Sequence, residues 1–312
     1  MAQPGSSARP AKARTVSLVL GSGGARGLAH IGVIEELEAH GYEIRAIAGS
    51  SMGALVGGIF AMGELTTYRD WVEGLSQTDV VSLLDWSFSS GGMIRGDKLI
   101  RKLKDLVGDS DIEDLPISYT AVAVDIERGR EIWMSDGPLF DAIRASIAIP
   151  AVFAPHRYRG RTLVDGGLLN PVPVAPTLRT LTDLTIVVDV NGPTSATAED
   201  QDEDQDVGDD EAEESGVLRR MLGYVESLGM NGTPTAEGMA LSEVLMRSLE
   251  TMQGALTRHH LAVFRPDLVI SIPKNTCMVH EFHKARPVIE LGRKTTRERL
   301  QAIGDENAGT PY

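Results

Sequence analysis

With 312 residues, 42% of them apolar and 24% charged, the chain has the make-up of an ordinary globular protein of one large domain or two small ones. Its single cysteine, Cys277, excludes an intrachain disulfide framework, a cysteine-based zinc finger and a cysteine-bound iron–sulfur cluster. Of the net charge of −14, residues 199–214 supply eleven carboxylates and no base, which leaves −3 for everything else and excludes a basic nucleic-acid footprint or a polybasic lipid anchor.

In chain order, residues 1–14 are mainly Pro, Ala, Ser and Arg without periodicity and read as a disordered tail. The apolar run that follows is too short for a secretory signal. Residues 15–20 (TVSLVL) form a buried-strand pattern that stops at Gly21. Leu28, Ile31, Ile34 and Leu37 then recur at helical spacing, with Gly41 as the stop. A second strand is expected at 44–48 and a second helix at 52–62. Strand, helix, strand, helix predicts a parallel sheet covered on both faces. Residues 46–63 are eighteen without a charge, but five glycines and two adjacent serines make them a strand and a small-residue helix rather than a membrane span. Further strands are expected at 119–125, 131–134, 161–164, 184–190 and 268–272. Further helices are expected at 97–107, 138–146, 217–228, 238–260 and 285–302. The division is a tail over 1–14, one domain over 15–305 with a flexible acidic insertion at about 192–216, and a tail over 306–312.

Chemistry is signalled first by Gly49-Ser50-Ser51-Met52-Gly53, a G-x-S-x-G between an expected strand and an expected helix. A sharp strand-to-helix turn there holds the serine in a strained conformation beside a helix N-terminus, and the glycines let backbone approach closely. Upstream, residues 21–27 (GSGGARG) also join a strand to a helix. Neither frame gives a dinucleotide-binding G-x-G-x-x-G, because Arg26 or Ser22 falls on a required glycine, and no Lys-Ser/Thr completes a phosphate loop. What remains is a nest of backbone N–H groups, with Gly23 and Gly24 as oxyanion donors. Arg26 has two roles open, an anionic headgroup site or a structural salt bridge. Asp165-Gly166-Gly167 follows a strand; it is either a plain turn or an acid placed to serve as a base. Conventional serine hydrolases use histidine, yet none of the seven histidines has a local context that marks it as the base.

The segments VLGSGGARGLAHIGVIEEL, IAGSSMGALVGGIFAMG, DAIRASIAIPAVFAP and LVDGGLLNPVPV, in that order, resemble the patatin-like phospholipases, and among them bacterial proteins similar to the catalytic domain of neuropathy target esterase. Looser similarity extends over 15–190 and again near 267–300. The chain departs from the family's glycine run at Ser22. The resemblance implies a three-layer α/β/α fold with a largely parallel central sheet and a Ser–Asp dyad. Carried over by position, Ser51 is the nucleophile, Asp165 the base, and the N–H groups of Gly23, Gly24 and Met52 form the oxyanion hole. The expected activity is that of a cytoplasmic serine acyl hydrolase of phospholipid or lysophospholipid esters, with no metal or organic cofactor and no nucleic-acid partner. Membrane contact is expected to be transient, because the acidic chain repels anionic bilayers. A broad carboxylesterase with a Ser–His–Asp triad and a non-catalytic regulatory protein on the same fold stay open. Residues 80–94, with Leu83, Leu84, Trp86 and Phe88, read as core or as an apolar lid. Leu245, Leu249, Met252 and Leu256 form a helical stripe, read as core rather than as an acyl-chain groove.

Overall fold

Alternation along the first strand sets the layers. In β1 (Arg14–Leu20), Val16, Leu18 and Leu20 join one apolar cluster while Val19 joins another, as side chains of period two must. The computed structural model describes residues 13–85, 93–195 and 241–308. The expected helix over 217–228, most of the acidic insertion, and Trp86 and Phe88 lie outside the described residues.

The other strands are β2 (Tyr42–Ser50), β3 (Ser118–Asp125), β4 (Arg130–Met134), β5 (His156–Tyr158), β6 (Arg161–Asp165), β7 (Leu184–Gly192) and β8 (Leu268–Pro273). β3, β2, β1, β7 and β8 run parallel in that order, and β4, β5 and β6 add antiparallel pairings beyond β3. The helices are α1 (Ala29–Ala39), α2 (Met52–Ala61), α3 (Leu65–Glu73), α4 (Gln77–Ser82), α5 (Asp97–Val107), α6 (Leu139–Ser146), α7 (Leu241–Phe264) and α8 (Ala285–Ala308). The larger cluster packs Leu18, Leu20, Ile186 and Val188 of the sheet under α1, α2, α6 and α8. The smaller one packs Val19, Val187, Val172 and Val174 under Leu261 and Phe264 of α7. The three-layer α/β/α architecture with a largely parallel sheet is therefore present. Leu18, Leu20, Ile31 and Ile34 are wholly buried, and each stabilises the fold by about 1.5–3 kcal/mol.

Across the larger layer, α1 and α8 meet through glycines: a Cβ on Gly32 would strike the Ile289 carbonyl, and one on Gly292 the Ala29 carbonyl. The buried Glu36 carboxylate accepts from Arg297 Nε and Nη2 at 2.9 Å each, tying the same two helices. α3, α4 and β5 were not expected from the sequence. β1 begins at Arg14, inside the expected tail; β7 runs to Gly192, and α8 continues to Ala308. No helix among the described residues is long and apolar enough to cross a membrane.

Candidate active site

β2 ends at Ser50 and α2 starts at Met52, so Ser51 is the whole turn. It sits at φ 55° and ψ −124°, a conformation L side chains rarely adopt, and it is 2% exposed. Close approach explains the flanking glycines: a Cβ on Gly53 would run into the Leu20 carbonyl, and one on Gly49 into the Gly53 carbonyl. Ser51 N–H donates to Ser146 Oγ at 2.9 Å, and Ser146 donates onward to the Val122 carbonyl at 2.6 Å. Next door, Ser50 Oγ donates to the Asn170 carbonyl at 2.6 Å.

Asp165 reaches this serine because two strands share one edge of β3. One edge, from Ala121 to Asp125, is paired with β4. The other pairs with β2 as far as Ser50↔Val122, and β6 takes over with Asp165↔Ala123. The place that β2 vacates by turning at Ser51 is filled by the end of β6. Asp165 N–H donates to the Ala148 carbonyl at 2.9 Å, and Asp165 Oδ1 accepts the Gly167 N–H at 2.7 Å. Oδ2 is buried without a full hydrogen bond. Burial pushes the carboxyl up to about 7, against the smaller downward pulls of the nearby Ser51 hydroxyl and the Gly167 amide.

The glycine run closes the other side. Gly24, at φ 56°, and Met52 each open a helix, so neither N–H has an acceptor within its own helix. The following amide, Ala25 N–H, is taken by the Val279 carbonyl at 2.9 Å. Ser22, Gly23, Gly24, Ser51 and Asp165 line one cavity of about 50 Å3, walled by Ile149, Pro150, Leu168, Met246, Leu249 and Val279. Arg26 also lines it, but its guanidinium bonds to the Lys274 carbonyl at 2.9 Å and Glu250 Oε1 at 3.0 Å, with Nε 3.4 Å from the Gly23 carbonyl. Of its two readings, the salt bridge is the one on display.

None of the seven histidines lines the cavity. His30 lies beneath it, donating from Nε2 to the Gly21 carbonyl at 2.8 Å, with burial pushing its pKa down to about 4. Among the described residues, no cluster of three or more His, Cys, Asp or Glu side chains is placed to hold a metal ion. Leu83 and Leu84 are half-buried and do not line the cavity. The stripe on α7 is not core: Leu245 and Met252 are exposed, while Leu249 belongs to the cavity wall with Met246, Glu250 and Gln253. Sequence reasoning missed Ser146, Asn170 and Asn191. They are small polar residues with no chemical pattern around them, and only the fold brings them to the site.

A patatin-like phospholipase family model matches residues 18–178. An uncharacterized NTE family protein of Mycobacterium tuberculosis is 40% identical over 338 residues, covering 94% of each chain. Lysophospholipase nte1 of Emericella nidulans is 31% identical over 185 residues, 57% of this chain and 12% of that protein. Among solved structures, VipD from Legionella pneumophila is similar at TM-score 0.44 and 14% identity, over 94% of this chain and 67% of that one.

Proposed function

The chain belongs to the patatin-like phospholipase family, and on that premise we propose that it hydrolyses lipid carboxylic esters, phospholipid or lysophospholipid, through Ser51 and Asp165. The observation that carries this reading is a strained, buried serine sharing one cavity with a buried carboxyl raised to about 7. A carboxylate at its ordinary value near 3.9 is a poor acceptor for a hydroxyl proton; one near 7 is matched to the working pH.

Ser51 Oγ attacks the ester carbonyl carbon as its proton passes to Asp165. The N–H groups of Gly23, Gly24 and Met52 hold the oxygen that becomes negative. Collapse breaks the bond to the leaving oxygen, which takes the proton from Asp165 and departs as the alcohol. Water then attacks the acyl-Ser51 ester, giving its proton to Asp165; a second collapse releases the fatty acid and returns the proton to Ser51. The aliphatic wall suits an acyl chain. At about 50 Å3 the cavity, which Met246 and Leu249 of α7 help to wall, is far below the ~300–1,000 Å3 of a filled ligand site. The net charge of −14 keeps contact with an anionic lipid surface brief.

A fluorophosphonate probe is expected to label the wild type at Ser51 and to leave Ser51→Ala unlabelled. Lipid extract treated with wild type, but not with Ser51→Ala, is expected to gain free fatty acid by mass spectrometry. No labelling and no Ser51-dependent hydrolysis would leave the non-catalytic reading. Full activity in Asp165→Asn with loss on substituting a histidine would select the triad.

A further inference from the structure

In a planar trans peptide the C=O and the N–H point in opposite directions, so whatever holds the carbonyl aims the amide. The two glycine donors of the oxyanion hole belong to the Ser22–Gly23 and Gly23–Gly24 peptides. The Ser22 carbonyl accepts from Asn191 Nδ2 at 2.6 Å, and the Gly23 carbonyl from Arg26 Nε at 3.4 Å. Each donor N–H thus has a side chain bonded to the oxygen at the other end of its own peptide. We propose that Asn191 is a positioning residue for catalysis, aiming the Gly23 N–H at the developing oxyanion, with Arg26 doing the same for Gly24.

Strand lengths put Asn191 there. β1 leaves the sheet after Leu20, which pairs with Val188, and Gly21 N–H donates to the Val188 carbonyl at 3.0 Å. β7 continues beyond that pairing to Gly192, so on the edge that β1 has left Val190 and Asn191 run alongside the glycine loop, while β8 follows the other edge. A Cβ on Gly23 would meet the Val190 side chain, which seats the loop against β7. Asn191 is itself pinned, its N–H donating to Asp189 Oδ1 at 3.0 Å. A carbonyl can only accept, so the amide nitrogen of Asn191 must face Ser22. Arg26 is likewise fixed, by the Lys274 carbonyl and Glu250. Neither side chain needs to touch substrate. Both act through backbone.

The inference rests on the oxyanion hole of the proposed function, and the experiment separates the two. Asn191→Ala removes the donor; Asn191→Asp keeps the shape and also cannot donate. Each is measured for kcat and KM on a soluble carboxylic ester and a lysophospholipid, for thermal midpoint, and for inhibition by a trifluoromethyl ketone, whose adduct carries the tetrahedral oxyanion. Removal of one donor typically lowers kcat ~10²–10³-fold, so a misaimed one is expected to lower it about 10- to 100-fold. KM should stay within about threefold, and affinity for the ketone should fall with kcat. A structural defect would lower the midpoint and the active fraction without that proportionality. Arg26→Lys, which keeps the charge but has no Nε, should lower kcat on both substrates alike; an effect confined to the phosphate-bearing ester would overturn its half. Ser51-dependent turnover with unimpaired Asn191 variants would overturn the positioning role alone. Absence of any Ser51-dependent turnover in the wild type would overturn the function and this inference together.

Discussion

Replacing Asp165 by Asn should reduce activity and raise stability, with a pH dependence set by the carboxyl itself. The native group holds its proton up to about 7, whereas in the unfolded chain it releases it near 3.8. A native state that binds a proton more tightly than the unfolded state has its full advantage below the unfolded value. It loses that advantage as pH rises and has none left above the native value. Three units at about 1.4 kcal/mol each bring the loss to about 4 kcal/mol by pH 8, an upper figure because a buried site relaxes around its charge. Asn carries no charge at any of these pH values, and its Oδ1 still accepts the Gly167 N–H now held at 2.7 Å. His30, lowered by burial, and Glu38 and Asp189, raised by it, titrate in both proteins and cancel in the difference. Urea unfolding of wild type and Asp165→Asn at about pH 5 and pH 8 measures that difference directly. The variant should gain about 2–3 kcal/mol on the wild type between the two, while its ester turnover drops about 10²–10⁴-fold. A difference that stays flat across the range would refute the buried, protonated carboxyl, and retained turnover would refute its role as base.

Three further outcomes follow from the same geometry. Ser51→Gly should be about 1 kcal/mol more stable than Ser51→Ala in thermal unfolding, because only glycine relieves φ 55° at the turn, and both should lack fluorophosphonate labelling. Ser146→Ala leaves the buried Ser51 N–H and Val122 carbonyl without their shared hydroxyl; a loss of about 2 kcal/mol by denaturant titration is expected, together with lower kcat from a loosened elbow. The value of kcat/KM should climb about tenfold per pH unit below 7 and level off above it, as a base near 7 requires; a profile flat from pH 5 to 8 would contradict that assignment.

How much of this was readable in advance depended on whether a residue's role is local. The G-x-S-x-G elbow is a local pattern: Gly49 and Gly53 mark where backbone touches backbone, Gly49 against Gly53 within the elbow and Gly53 against Leu20 at the end of β1. The core strands declared themselves by apolar runs, and α1 by its spacing. Asp165 was different, since Asp-Gly-Gly left a plain turn and a base both open, and the ordered family segments decided between them. α3 escaped despite Leu65, Tyr68 and Val72 on one buried face, and α4 is a single capped turn resting on Ser76 and Asp79. The α7 stripe misled for a physical reason. Periodicity locates an apolar face but not what covers it, and here the inward arc of Met246, Leu249 and Gln253 looks onto a cavity rather than a core.

The site exists because neighbouring strands end at different heights. β1 stops at Leu20 and releases the glycine loop; β2 runs to Ser50 and turns at the serine; β7 goes on to Gly192 and braces the loop from the side. β6 then enters antiparallel and pairs Asp165 with Ala123, in the place next to the one β2 has just left. One more residue of β2 paired to β3 would occupy that place and push the carboxyl away. That additional residue would be Ser51 itself, drawn into extended backbone where its positive φ cannot be held. A one-residue shift also inverts every side chain that follows, so the register cannot slip to compensate. The distance between serine and aspartate is thus set by counting residues along β3, and the hydroxyl of Ser146, held by the Val122 carbonyl on that strand, fastens the turn to the same ruler.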